Sequence, residues 1–515
     1  MRARSPWVVD AVAVALLGLV IRLGLVLSSS GGFSGVFGYD PGVYFDGAVS
    51  LVNGRAPYRD FVLLHPPGVL VALAPFGALA RLVGDHAAFE TANIGFAALG
   101  ALCGAVVVGV ARRAGLSRPA GLAGGLFYAV WFSSASSEIA VRLEPLGNAT
   151  FLIGLLLLSG RGAERRRTLI AGGLALGYAA DVKIWWIVPV AVVVAWQFRR
   201  RGRQAGAWVA AGAAAALVAV NAPFFAVAPG QMWRMVVTDQ LGRNGSMSSR
   251  PTRLTSLSAV SSALRGAPGL LQSIVVALFV VLVAVVAVCA WRRRAYRIAV
   301  VIALVQLGTL AAAPSYFAFY ADFAAVGLAL TLAAAVGPRI QDDSPATART
   351  ASVAGADRPG RRRVGPLAAA STVLLVAAIS ASAMVVRHRG LTRRFDANGV
   401  AADLRAARCV VSDSPAALIE LNLLSRNLAR GCPDWVDVTG RTYDVDAPDD
   451  NGPARRTKNA KWQRDALRYL TSGDAVLLIR HATGLSGQTR REIRRRGKLI
   501  ASGHGFRAYL MRSPG

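Results

Sequence analysis

Residues 66–118 read PPGVLVALAPFGALARLVGDHAAFETANIGFAALGALCGAVVVGVARRAGLSR, and how often this stretch crosses a bilayer decides how the whole chain is laid out. It holds two apolar runs, Val69 to Val83 and Ala87 to Val110, separated only by Gly84, Asp85 and His86. A spanning helix needs about 20 mostly apolar residues, and Arg/Lys clusters mark cytoplasmic ends. With Arg2 and Arg4 inside, the first run, Val8 to Leu27, leads outward; it is too long for a signal-peptide core and is expected to stay as a membrane helix. If both following runs crossed, Arg112, Arg113 and Arg118 would lie outside and every later basic cluster would be inverted. Pro66 to Gly84 therefore reads as a re-entrant or juxtamembrane helix, tolerable where protein or a wet cavity covers its backbone, and Ala87 to Val110 as the second crossing.

The remaining runs then alternate without conflict. Pro119 to Phe132 leads out and Leu146 to Leu158 returns to Arg161 and Arg165 to Arg167. Thr168 to Ala180 and Ile184 to Phe198 form a hairpin turning at Asp181, Val182 and Lys183. Ala205 to Ala222 leads out into a long loop, Pro223 to Gly269, and Leu270 to Ala290, Ile298 to Ala313 and Phe317 to Val336 follow. A Pro- and Arg-containing linker, 337–365, precedes a last helix, Pro366 to Val386. The expectation is an all-α polytopic membrane protein of about eleven transmembrane helices over 1–336 and 366–386.

Composition agrees. Of the 515 residues, 54% are hydrophobic and only 17% charged, with mean hydropathy +0.45, too apolar for an ordinary soluble chain. The net charge of +30 sits in short clusters between apolar runs, which is a topology signal, so nucleic acid is excluded as the expected partner and the bilayer takes its place. The tail, 387–515, has no spanning run. It alternates β-like stretches (Cys409 to Ser412, Ala475 to Ile479, Phe506 to Met511) with helical ones (Ala416 to Leu428, Trp462 to Leu470, Gln488 to Arg495), and reads as a small extracytoplasmic α/β domain. Within it Cys409 and Cys432 are compatible with a disulfide or with two free thiols.

On this topology the polar residues gather on the extracytoplasmic face. The first loop, 31–86, carries Asp40, Tyr44, Asp46, Asp60 and His65; Glu138, Arg142 and Glu144 follow the third crossing; Lys183 lies in the hairpin; Asp239, Arg243 and Asn244 lie in the long loop. Ionisable groups near a membrane are costly, so their clustering favours a site. Each has a plainer reading. Asp40 before Pro41 makes a good helix start, with Asp as N-cap, and Glu144-Pro145 another. Lys183 beside Trp185 and Trp186 suits an interfacial anchor, Tyr316 and Tyr320 an aromatic belt, and Arg22 a snorkelling side chain.

The order of these pieces resembles the GT-C superfamily of integral membrane glycosyltransferases, in particular its aminoarabinose-transferase and protein mannosyltransferase branch. The resemblance rests on Asp40 followed four residues later by Tyr44, on His65-Pro66-Pro67-Gly68 opening a juxtamembrane helix, on Glu144-Pro145 opening the fourth crossing, and on Lys183 in a helix hairpin. It implies a polyprenyl-phosphate-linked sugar donor, a cell-envelope glycan or lipid acceptor, inversion at the anomeric carbon, and a plasma-membrane location with the active site outside. It further implies Asp40 as base, Glu144 positioning acceptor or sugar, and Lys183, Arg243 and either His65 or Arg22 near the donor phosphate, with Tyr44, Asp46, Asp60 and Tyr320 around the substrates. Pro41 replaces the second member of the acidic pair many relatives carry, and His65 replaces a lysine, a weaker cation at neutral pH. No organic cofactor is expected, and no ligand spacing demands a metal, although three first-loop aspartates could hold a divalent ion. A lipid-sugar flippase and a membrane-anchored binding module are the competing functional readings.

Overall fold

The computed structural model describes residues 6–160, 162–241, 249–294, 296–338, 359–395, 398–445, 456–479, 484–503 and 505–512. The protein is mainly helical. Helix α1 (Pro6–Leu27) is followed by strand β1 (Gly35–Val36), then by α2 (Asp40–Val52), α3 (Gly68–Val83), α4 (Asp85–Arg113), α5 (Arg118–Val130), the short α6 (Phe132–Ser137), α7 (Leu143–Leu157), α8 (Arg166–Val182) and the long α9 (Ile187–Val227). Six of the described helical segments are long and apolar enough to cross a bilayer: Trp7–Leu27, Asp85–Arg113, Ile184–Val227, Gly269–Arg293, Ala318–Val336 and Val364–Gly390. Three shorter apolar helices, Gly68–Val83, Leu143–Leu157 and Arg297–Ala312, lie among them. The chain is a multi-pass membrane protein.

The helix α9 is two helices in succession. Its backbone breaks at Gly202, whose φ of 85° only glycine adopts readily, between Arg199 and Arg203. The 16 residues of α3 reach about 24 Å, short of the roughly 30 Å hydrocarbon core, and at Gly84 (φ 87°) the chain turns directly into α4. The 29 residues of α4 span about 43 Å and separate two ends of the bundle. Asp85 lies in its first turn and Arg112 and Arg113 in its last, the charge order that the helix dipole favours.

Small residues set a close helix contact. Gly173 and Gly177 of α8 face Gly212 and Ala213 of α9, and a Cβ on any of the three glycines would collide with backbone of the facing helix. Lipid offers no hydrophobic drive between helices, so such close approach supplies the packing energy.

The C-terminal segment carries a four-stranded sheet of order β3-β4-β6-β5 (Val410–Ser412, Ala475–Leu478, Gly497–Gly503 and Phe506–Met511); β3 and β4 pair in parallel and the others antiparallel. Cys409 and Cys432 form a disulfide. Strand β2 (Arg393–Arg394) pairs with β1, tying the chain after the last helix to the loop after the first.

This segment docks on the end of the bundle where α2 lies and α4 begins. The start of α4 has no capping side chain of its own, and its orphan amides are met from elsewhere: Asn422 Oδ1 accepts from the His86 amide at 3.0 Å. Buried Asp85 accepts from the Ser425 amide at 3.0 Å, and His86 Nδ1 lies 2.9 Å from Glu420.

Candidate active site

Helix α2 begins with Tyr39 in the cap position and Asp40 as its first helical residue, with Pro41 inside the first turn and no side-chain capping bond. Asp40 is thus not the N-cap expected from Asp-Pro; it is half-buried. Its helical neighbour Tyr44 is buried and meets buried His65 edge to face, ring centroids 6.0 Å apart. Three residues beyond His65, the chain enters α3 at Gly68, whose carbonyl accepts from the Tyr178 hydroxyl at 2.8 Å. A Cβ at Gly68 would lie 2.6 Å from the Asp181 carbonyl oxygen, so α3 abuts the very end of α8.

That end presents Lys183. Its ammonium donates to Glu144 Oε1 at 2.7 Å with both side chains 2% exposed, and lies 3.7 Å from the Tyr320 ring centroid and 4.0 Å from that of Trp185. Aromatic faces stabilise a desolvated cation. Glu144, Lys183 and Tyr320, selected on separate segments of sequence, therefore meet in one buried cluster.

Beside it stands Arg142, two residues before Glu144. Its guanidinium sits 4.1 Å over Phe319, while its buried Nε and Nη1 atoms have no hydrogen-bond partner. The Phe319 and Tyr320 rings are 4.9 Å apart, and a Cβ on Gly38, two residues before Asp40, would lie 3.9 Å from Arg142 Nη2. Arg142 thus bridges the start of α2 and the Lys183 cluster. Its place among the polar residues of that loop was the sequence signal; its unmatched donors were not visible there.

Other residues fall elsewhere. Asp46 lies 240° around α2 from Asp40 at 100° per residue and points into the joint with the C-terminal segment. It is fully buried, accepts from Ser50 Oγ at 3.3 Å, and faces the Asp434–Arg55 ion pair. Burial, reinforced by the Asp434 carboxylate, raises the Asp46 pKa well above the usual carboxylate range; burial raises that of Asp434 too, against the pull of Arg55. Asp60 is exposed, paired to Arg59 at 2.8 Å, and held below its ordinary pKa by that hydrogen bond. Arg243 and Asn244 lie outside the described residues.

Arg22 does not snorkel. It is 0% exposed and donates from Nε to Glu138 at 2.8 Å. Glu138 also accepts from Tyr128 at 2.6 Å, and Asn148 joins Tyr128 (2.9 Å) to Asp322 (3.0 Å). This buried network is committed internally, which removes Arg22 from the candidates for holding an anion. Among the described residues no group of three or more His, Cys, Asp or Glu side chains is arranged to hold a metal ion.

The same arrangement of helices occurs in solved structures. ArnT from Cupriavidus metallidurans, bound to undecaprenyl phosphate, matches over 99% of both chains with TM-score 0.52 and 14% identity. The archaeal oligosaccharyltransferase AglB from Archaeoglobus fulgidus, in complex with an inhibitory peptide and a dolichol-phosphate, matches over 98% of this chain and 74% of that one with TM-score 0.54 and 12% identity. The S. cerevisiae Pmt1-Pmt2 O-mannosyltransferase complex bound to the sugar donor overlaps only 45% of this chain and 34% of that one, with TM-score 0.34 and 19% identity, too loosely to carry an argument. No curated protein matches. The fold is that of the GT-C class of membrane glycosyltransferases. Residues 63–314, which include His65, Glu144 and Lys183, match glycosyltransferase family 87, and the chain is a glycosyltransferase enzyme.

Proposed function

We propose that this enzyme transfers a sugar from a polyprenyl-phosphate-linked donor to an extracytoplasmic glycan or lipid acceptor of the cell envelope, with inversion at the anomeric carbon. The observation that carries the reading is the juxtaposition of the Asp40 end of α2 with Arg142, a half-buried cation whose inward donors meet no protein acceptor. The lipid phosphates bound by ArnT and AglB supply the donor class. Asp40 takes the proton of the acceptor hydroxyl as its oxygen attacks the anomeric carbon, and the bond from that carbon to the phosphate oxygen breaks. The departing phosphate gains negative charge, which Arg142 stabilises through fixed donors already in place. Lys183, neutralised by Glu144, orients the site more than it binds the phosphate. The extracytoplasmic side is supported by the positive-inside rule, since Arg112, Arg113 and the Arg199 to Arg203 cluster mark the opposite end of the bundle.

Asp40→Asn tests the base. With a radiolabelled polyprenyl-phosphate sugar, the variant is expected to bind donor and lose transfer; undiminished transfer would sink the assignment. Chromatography of the lipid-linked sugars that accumulate in a deletion strain identifies the donor, and a strain that accumulates none argues against the class.

A further inference from the structure

Away from this site, a cavity of about 440 Å³ opens in the C-terminal segment, within the range of about 300–1,000 Å³ typical of small-molecule sites. One wall is the helix Ala460–Leu470, whose Asp465, Arg468 and Tyr469 fall on one face by their spacing. The other is the stretch 433–441, which contributes Trp435 and Arg441. Trp435 and Tyr469 lie face to face, centroids 4.6 Å apart and planes 3° from parallel. The Arg441 guanidinium sits 4.9 Å from the Trp435 ring. At the rim, Arg468 Nη1 is 3.8 Å from Asp465 Oδ1 and its side chain is 82% exposed, and Ser472 places a hydroxyl 2.7 Å from the Tyr469 carbonyl.

This combination selects a ligand chemistry. Tyr469 covers one face of Trp435; the aromatic surface left at the cavity suits the C–H groups of a sugar ring, while guanidinium donors beside a carboxylate acceptor suit hydroxyl groups, which both donate and accept. An acyl chain would leave the rim charges unmatched, and a simple anion would engage the cations Arg441, Lys461 and Arg468 but leave the aromatic surface and Asp465 without a partner in the ligand.

The same stretch, 433–441, reaches the candidate active site from its other side. Asp434 is ion-paired with Arg55, and Asp437 accepts from the hydroxyl of Tyr39, the residue before Asp40, at 2.8 Å. Tyr39 in turn accepts from the Thr439 amide at 3.0 Å. A ligand against Trp435 is therefore held by the stretch that fixes the start of α2.

We propose that this cavity is a saccharide-binding site that holds a part of a glycan acceptor remote from the reacting hydroxyl. The proposal rests on the reading of the enzyme as one that extends an envelope glycan. The test uses the full chain in nanodiscs on an array of neutral and acidic oligosaccharides of three to six sugars, with tryptophan fluorescence for the affinities. Wild type is expected to retain at least one oligosaccharide class. The surface double variant Asp465→Asn/Arg468→Ala is expected to bind it at least fivefold more weakly at unchanged melting temperature, and Trp435→Ala more weakly still. In transfer assays the double variant is expected to raise KM for a long acceptor more than for a monosaccharide-sized one. No oligosaccharide retained by wild type above the double variant overturns the proposal. Binding lost from the double variant, with sugar transfer indifferent to Asp40→Asn, upholds the cavity and removes the base assignment instead.

Discussion

Lys183 and Glu144 form an ion pair at 2.7 Å with both side chains 2% exposed, and they come from different helix ends 39 residues apart. Breaking such a pair from one side leaves a buried charge unmatched, which costs about 3–5 kcal/mol. Lys183→Met is therefore expected to lower the melting temperature sharply, and Lys183→Met/Glu144→Gln to recover most of it. Transfer activity is expected to stay low in the double variant, because the cation over Tyr320 is gone. If the double variant regains full activity along with stability, the pair serves the fold alone.

Arg142 gives the opposite signature. Its Nε and Nη1 make no hydrogen bond within the protein, so Arg142→Gln is expected to leave the melting temperature within a few degrees of wild type. If the guanidinium stabilises the leaving phosphate, kcat falls by about 10²–10³-fold, the effect of removing one such donor. Arg142→Lys is expected to recover only part, since an ammonium keeps the charge and loses the fork of donors. A variant that is stable and fully active would exclude Arg142 from the chemistry.

The joint between α2 and the C-terminal segment should titrate. A carboxyl whose native pKa lies above its unfolded value binds more protons folded than unfolded, so stability falls as pH rises from the unfolded value, about 4, toward the native one. Asp46 and Asp434 are both shifted upward, and the contribution of the protonated pair is full in acid and lost on the alkaline side. Asp46→Asn keeps the Asp434–Arg55 ion pair and removes the second carboxyl. It is expected to flatten the pH dependence of the melting temperature and to stabilise the protein at pH 8 by about 1 kcal/mol, the equivalent of one pKa unit. An unchanged pH slope would show that Asp46 takes up no proton on folding. A large loss of transfer at unchanged stability would instead restore Asp46 to the substrate site.

What could be read in the chain was set by how local each signal is. The short run at Val69 to Val83, the hairpin end at Lys183 and the strand at Phe506–Met511 depend on length, charge order and alternation, all properties of neighbouring residues. Strand β5 escaped notice because, at the edge of the sheet, five of its seven residues carry no large apolar side chain. The environment of Asp46 was illegible for a different reason. Its neighbour Asp434 lies 388 positions away, and only the docking of the C-terminal segment turns a first-loop aspartate into part of a joint. Arg22 shows the same limit: a cation near a helix end can snorkel or find Glu138, and sequence spacing does not distinguish the two.

Gly68 links the fold to the chemistry. Position 68 places α3 against the last turn of α8, where a Cβ would lie 2.6 Å from the Asp181 carbonyl oxygen and 2.7 Å from its carbonyl carbon. Backbone on both sides cannot yield as a flexible side chain would, so Gly68→Ala must push the two helices apart. Overpacking of this kind costs about 1–3 kcal/mol. The displaced segment ends at Lys183, two residues past Asp181, and begins at His65, three before Gly68, so the clash acts on two candidate site residues together. Gly68→Ala is expected to lower the melting temperature moderately and transfer activity strongly. Gly54→Ala, with no neighbouring atom within 4 Å of its Cβ but a φ of 85°, is the control: it destabilises through a left-handed backbone, by about 1–2 kcal/mol, without a clash at the site. Equal losses of activity in the two variants would mean that stability alone, and not the spacing of α3 from Lys183, governs transfer.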